Sequence, residues 1–325
     1  MIRLRIITFV ITVFSVTHVA PVVAAESAAE LIEKLASDQP QDIRVAAATA
    51  LQEKSLKAEE RKTVISILTP WLKDKDPEVR KSGIILLTCL MIGTKGRCPL
   101  EVAETMFDDS PDVRLHAAIC VSECRNFPAE ALPLLFRAIE HDDTDVRCHI
   151  PVLLAQALKD DKRTIPALKK ATTDKDALVK NSAFVALFQV TDDFDLVVPY
   201  HLRTLENSRT LMLDVKEEDY EREFKKRQAG LAYILRNSSD KFLVEHGETE
   251  PEKLGRCLVK LLSDKSPTIR RAAVRALGEI AEHKQESKEA LRRINAQNAI
   301  EKLADDREIT VGGAALRALD QLNEP

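Results

Sequence analysis

The stretch D-D-S-P-D-V-R-L-H-A-A-I-C-V-S-E-C, residues 108–124, decides how the rest of the chain reads. It carries two competing suggestions. His116, Cys120 and Cys124 follow one another at four-residue spacing, so a helix would set them in one row. The second pattern is an acidic turn, then Ser110-Pro111, then Val113, Ala117 and Val121 on one helical face.

The second pattern recurs along the chain. With Val113 as anchor, the related stretches are D-Q-P-Q-D-I-R-V-A-A-A-T-A-L (38–51), D-K-D-P-E-V-R-K-S-G-I-I-L-L (74–87) and H-D-D-T-D-V-R-C-H-I-P-V-L-L (141–154). Further on come D-K-D-A-L-V-K-N-S-A-F-V-A-L (174–187), D-K-S-P-T-I-R-R-A-A-V-R-A-L (264–277) and D-R-E-I-T-V-G-G-A-A-L-R-A-L (306–319). The anchors Ile43, Val79, Val113, Val146, Val179, Ile269 and Val311 are separated by 36, 34, 33, 33, 90 and 42 residues. A period of this size marks stacked helical hairpins, and the interval of 90 leaves space for one or two diverged copies.

Each repeated position has a physical reason. The fourth residue after the anchor is small in Ala47, Gly83, Ala117, Ala183, Ala273 and Ala315, which lets a neighbouring helix approach. The eighth is Leu51, Leu87, Val121, Leu154, Leu187, Leu277 and Leu319, completing the apolar stripe. Three residues before the anchor stand N-cap types, Asp76, Ser110, Asp143, Asp176 and Ser266. Pro77, Pro111 and Pro267 then take the first helical position, where a missing N–H costs nothing. An amphipathic run precedes each turn, as in 28–35, 63–72, 101–107, 132–139 and 254–262. The unit is therefore helix, acidic turn, helix.

On the motif D-x-x-P-x-V-R-x-x-A-x-x-A-L these units resemble HEAT repeats, most closely the short variety named after the phycobilisome lyases. The resemblance covers roughly residues 27–322. It implies an all-α, right-handed α-solenoid of about eight hairpins, with second helices lining a concave face. Such arrays serve many roles, so fold and function are separate questions.

The residues after the anchors, Arg44, Arg80, Arg114, Arg147, Lys180 and Arg270, form a column of cations along the stack. One reading is a stripe for an acidic partner. The preferred one is a structural ladder to turn aspartates such as Asp74, Asp108 or Asp264.

Residues 191–253 lack the signature. T-D-D-F-D (191–195) opens a turn, 196–205 suits a first helix, and the charged run 215–236 suits a long second one. Residues 237–251 then read as a polar connector. The segment, which holds Tyr220 and Tyr233, is either a drifted repeat or an insertion conferring specificity, and drift is preferred. Asn237-Ser238-Ser239 is a glycosylation sequon.

The first 25 residues differ from everything after them. Arg3 and Arg5 precede an apolar run from Ile6 to about Val16, and Val23-Ala24-Ala25 offers a small-residue cleavage site. This is the order of a secretory signal, predicting removal of 1–25 and an exported, periplasmic or secreted product. Losing the two arginines takes the formal charge from −4 to −6. No later segment is apolar enough to span a membrane, and no basic patch argues for nucleic acid.

The 325 residues contain none of the phosphate-loop, dinucleotide, nucleophile-elbow, H-E-x-x-H or C-x-x-C motifs. G-T-K-G-R-C (93–98) reads as an inter-repeat turn. Deoxyhypusine hydroxylase is similar in its HEAT-like architecture, but its iron ligands come from His-Glu pairs, and no His here precedes Glu. His116 and His149 share one repeat position, with Cys120 and Cys148 nearby, which suggests a soft-metal group. The position of Cys120 is filled elsewhere by Ala and Leu, so core packing is the preferred account. Cys98 opens one helix and Cys124 closes its antiparallel partner, making them a candidate disulfide, with Cys89–Cys98 as the rival. The expectation is a non-catalytic scaffold for a protein partner, without cofactor. Its alternatives are a metal- or cofactor-handling protein using the His/Cys group, or an accessory subunit of an enzyme complex.

Overall fold

The computed structural model describes residues 26–91, 97–213 and 222–324. Residues 1–25, expected to be a secretory signal, most of the expected turn at 93–98, and Tyr220 with the start of the charged run lie outside them. Intrachain contacts divide the chain into two compact units, Met1–Leu153 and Leu154–Pro325.

Among the described residues every regular element is helical. The hairpins of the first unit are α1 (Ala28–Glu33) with α2 (Gln41–Leu51), and α3 (Ala58–Trp71) with α4 (Pro77–Met91). Next come α5 (Leu100–Glu104) with α6 (Pro111–Glu123), and α7 (Leu132–Ala138) with α8 (Thr144–Ala157). In the second unit α9 (Thr164–Ala171) pairs with α10 (Ala177–Thr191), α11 (Phe194–Leu213) with α12 (Arg222–Thr249), and α13 (Pro251–Leu261) with α14 (Pro267–His283). Then α15 (Gln285–Arg293) intervenes before α16 (Ala296–Glu301) and α17 (Ile309–Asn323). The fold is all-α, a series of eight hairpins of the α-solenoid class.

The repeated stripe is the core. Val79, Val113, Val146, Val179, Ile269 and Val311 are buried, as are Leu51, Leu87, Val121, Leu154, Leu187 and Leu277. Small residues between them permit close packing: a Cβ on Gly83 would lie 3.2 Å from the Cβ of Trp71. Ile43 departs from the pattern and is 37% exposed. Its hairpin is the first of the described chain, so no described hairpin precedes it to cover that face.

Three further features depart from the sequence reading. The first helix of the third hairpin is short: α5 ends at Glu104 and continues as a 3₁₀ turn, Thr105–Phe107. Residues 237–249 are not a connector but the second half of α12. Their Asn and Ser look like turn formers, yet Ser238 accepts from Asn181 Nδ2 (3.2 Å) and Ser239 bonds His201 (3.0 Å). The anchor spacing of 42 has its cause in α15, an extra helix joined to α16 through Asn295 in the left-handed region (φ 60°), where Asn is among the few tolerated residues.

Candidate functional site

In the cation column, Arg80 donates from Nε to Asp108 Oδ2 (2.8 Å) and from NH2 to Asp108 Oδ1 (2.6 Å). Arg44 reaches Asp74 Oδ2 (3.0 Å), Arg114 reaches Asp143 Oδ2 (2.8 Å), and Arg270 grips Asp306 at both oxygens (2.9 and 2.8 Å). Each pair runs from a second helix to the turn of the following hairpin. The same arginines also bind their own turns, as Arg80 does the carbonyl of Asp74 (2.8 Å) and Arg114 that of Asp108 (2.9 Å). Arg147 binds the carbonyls of His141 (2.6 Å) and Asp142 (2.9 Å). Lys180 holds the column position with no ion pair among the described residues.

The aspartates have a second task that the sequence reading missed. Asp74 Oδ1 accepts from the amide of Asp76 (3.0 Å), Asp108 from Ser110 (2.9 Å), Asp264 from Ser266 (2.8 Å) and Asp306 from Glu308 (2.9 Å). The turn is thus built by the Asp five residues before the anchor. Ser110 and Ser266, expected as caps, make no side-chain cap bond. In the fourth hairpin His141 replaces that Asp, and the Asp143 amide donates to its Nδ1 (2.9 Å).

Electrostatics agree with the geometry. Burial alone would raise the Asp108 carboxyl, but hydrogen bonds from Arg80 and the Ser110 amide outweigh it and hold it below the usual carboxylate range. Asp306 is held low chiefly by Arg270. The two side chains of the Arg80–Asp108 pair are each only 10% exposed, so the pair is shielded from salt.

The proposed metal group does not converge. His116 Nδ1 lies 2.7 Å from the carbonyl of Asp112 on its own helix, and the Cys148 thiol donates to the carbonyl of Asp145 (3.4 Å). Cys120 is buried in the core. His149 is half-buried, and burial pushes its imidazole below the ordinary value. Among the described residues no three or more His, Cys, Asp or Glu side chains are placed to hold a metal ion. Cys98 and Cys124 stand as free thiols, the first donating to the carbonyl of Pro99 (3.7 Å) and the second to that of Cys120 (3.5 Å), and Cys89 is exposed on α4.

On α14 and α17 the residues six and ten after the anchor, Arg275 and Glu279, Arg317 and Gln321, reach the surface. These side chains border an open cavity of about 360 Å³ lined by Arg275, Glu279, Ala314, Arg317, Ala318 and Gln321. Gly278 permits it: a Cβ there would sit 2.0 Å from Gln321 Oε1. Arg275 is fixed from behind by Glu206, 5% exposed, which accepts from Arg275 NH1 (3.2 Å) and Arg271 NH2 (2.6 Å). Nothing in the repeat motif signals Glu206, because it lies in the segment where the motif is lost.

A second cluster missed from sequence lies beneath α11 and α12. His201, fully buried, stacks on Phe242 with ring centres 4.3 Å apart, and Phe242 packs at 4.9 Å from Phe188. Burial drives the His201 imidazole down to about 3, with His246 adding to the effect, so it is neutral.

Comparison with known proteins places this geometry. Residues 100–187 match a model described as HEAT repeats, and residues 254–284 one described as HEAT repeat. No curated protein matches the chain. Among solved structures, Kap121p bound to Pho4p is 15% identical with a TM-score of 0.57, covering 94% of this chain and 34% of that one. A Kap121p mutant, D353K/E396K/D438K, gives 15%, 0.56, 94% and 34%. An engineered protein is 18% identical over 91% of this chain and 89% of that one, with a TM-score of 0.40. The likeness to Kap121p is one of fold, and the chain spans about a third of its length. No described helix is long and apolar enough to cross a membrane.

Proposed function

We propose that the chain is an exported, non-catalytic scaffold that binds a protein partner on the exposed faces of its second helices. Its repeats are of the short HEAT-like variety named after the phycobilisome lyases. Residues 1–25 are its signal peptide, 26–325 its repeat array, and 191–253 a diverged hairpin.

The observation that carries this reading is how the cations divide. Arg44, Arg80, Arg114 and Arg270 are engaged between hairpins, so the column is structural. Contact chemistry is left to positions such as Arg317, at the rim of the cavity between α14 and α17. Kap121p, similar in fold, has been crystallised with Pho4p bound, which supports a protein partner for this chain. The negative formal charge supports no nucleic acid.

Two measurements test the reading. N-terminal sequencing of the exported protein should begin at Ala25 or Glu26; retention of Arg3 and Arg5 in the mature protein, or failure to be exported, refutes the signal peptide. A photo-crosslinker placed at the exposed Arg317 should capture a discrete partner from the exported fraction, while one at the exposed Glu59 or Lys62 should not. Equal capture at both places, or none, refutes the surface.

A further inference from the structure

Four of the six cysteines gather around one end of the third hairpin. Cys98 lies two residues before α5 and Cys124 immediately follows α6, while Cys120 lies one turn back on α6 and Cys89 near the end of α4. A backbone contact closes the hairpin at this end. The Cys98 amide donates to the carbonyl of Asn126 (2.8 Å), tying the chain before α5 to the chain after α6. Cys124 stands two residues before Asn126, and the Cys98 and Cys124 thiols are near enough that each shifts the other's ionisation.

The two sulfurs are not equivalent. Cys98 is 1% exposed, whereas Cys124 is half-buried at the open end of α6. Arg125 lies beside Cys124, its guanidinium donating to the carbonyls of Ser122 (2.9 Å) and Cys124 (3.0 Å). The neighbouring Cys98 holds the Cys124 thiol below the ordinary cysteine value, with Arg125 assisting and burial opposing. Cys98 is pushed up by its neighbour Cys124 and by burial. A thiol that can be reached, beside an arginine and backed by a buried partner thiol, is the division of labour of a redox-active dithiol. Cys120 lacks it, being buried and pushed up to about 12, chiefly by that burial.

We propose that Cys98 and Cys124 are a redox-active pair that closes to a disulfide by exchange with a disulfide donor, Cys124 attacking and Cys98 resolving. In the first step the Cys124 thiolate attacks one donor sulfur; the donor S–S bond breaks and its other half leaves as a thiolate. Cys98 then gives up its proton, attacks the Cys124 sulfur of the mixed disulfide, and expels the second donor thiolate. Two electrons and two protons leave the pair, and the donor disulfide becomes two thiols. The product ties the ends of α5 and α6, stapling a hairpin rather than creating a binding surface. It is independent of the scaffold reading.

The test uses the full mature chain, reduced and then treated with glutathione disulfide. Remaining thiols are alkylated, and peptides are mapped by mass spectrometry without reduction. A Cys98–Cys124 linked peptide is expected, with Cys120 alkylated only after unfolding. Cys98→Ser should stop at glutathione on Cys124, Cys124→Ser should leave Cys98 unmodified, and Cys89→Ser should still form the link. The oxidised chain should unfold at a higher denaturant concentration than the reduced one. The proposal is overturned if Cys98 and Cys124 both remain open to alkylation in the treated wild type. It is equally overturned if Cys98 is found linked to Cys89 or Cys120. These wild-type outcomes do not depend on whether any variant folds.

Discussion

Arg80 grips Asp108 through both carboxylate oxygens, at 2.8 and 2.6 Å, and so joins α4 to the turn that starts α6. Asp108 also builds that turn by accepting the Ser110 amide. Removing it has two costs that substitution separates. Asp108→Asn keeps an acceptor for Ser110 but loses the charge, and should cost about 2 kcal/mol. Asp108→Ala loses both and should cost more. The exposed pair Glu59–Lys62, with side chains 83% and 73% exposed, is the control; Glu59→Ala should move stability by no more than about 0.5 kcal/mol. Urea unfolding measures all three, and equal losses for Asp108→Asn and Glu59→Ala would refute the structural role of the ladder.

Glu206 is a further buried carboxylate held by arginine. Its replacement by Ala would leave Arg271 and Arg275 beside one another without their shared acceptor. Their side chains are 26% and 34% exposed, so water screens part of the penalty. A loss of about 2 kcal/mol is expected, with Glu206→Gln milder because its amide oxygen still accepts one bond. Partner crosslinking at Arg317 should also fall in Glu206→Ala, since Arg275 on the cavity wall is no longer fixed. Unchanged stability together with unchanged crosslinking would show that Glu206 positions nothing.

His201 gives a pH dependence of definite sign. Its ordinary value is 6.5, and burial, with His246 adding, lowers it to about 3 in the folded chain. Between these values the unfolded chain binds a proton that the folded chain does not. Stability is therefore highest above pH 6.5 and falls as pH drops towards 3, by up to about 1.4 kcal/mol per unit. The ladder aspartates, held below 3.8, add their loss only at lower pH. His201→Phe should flatten the slope between pH 6.5 and 4.5, while costing about 1 kcal/mol at neutral pH because Ser239 loses its partner. An unaltered slope would place the acid sensitivity elsewhere.

These residues also mark how far the sequence could be read. The anchor, the small fourth position and the eighth were legible because each hairpin meets the same two neighbours, so the same side-chain sizes recur. Arg80 and Asp108 were legible as types recurring at fixed positions, although their pairing needed distances. Glu206, His201 and Ser239 were not legible, because α11 and α12 meet each other along unique faces and no second copy exists to compare. The polar run 237–249 misled for a related reason. Asn and Ser favour turns in isolation, but here partners on α10 and α11 satisfy Ser238 and Ser239 within a helix. Nor does spacing alone distinguish ligands from packing: His116 bonds a carbonyl of its own helix.

Adjacent glycines on α17 offer a test in which two effects oppose. Both Gly312 and Gly313 lie in a helix interior, where Ala is favoured over Gly by about 1 kcal/mol. At Gly313 an added Cβ meets only the end of Arg317, at 3.9 Å. Gly313→Ala should therefore stabilise by about 0.5–1 kcal/mol. At Gly312 the same atom would stand 2.7 Å from the carbonyl oxygen of Ala304, which is backbone and cannot swing aside. Gly312 occupies the position that holds Arg in most earlier hairpins, and its lack of a side chain lets α17 lie directly against the turn after α16. Gly312→Ala should lose more than the propensity gain returns, for a net destabilisation of about 1–3 kcal/mol. Thermal unfolding of the two variants should thus shift in opposite directions, and a shift upward in both would show that the approach of α17 to Ala304 is looser than 2.7 Å requires.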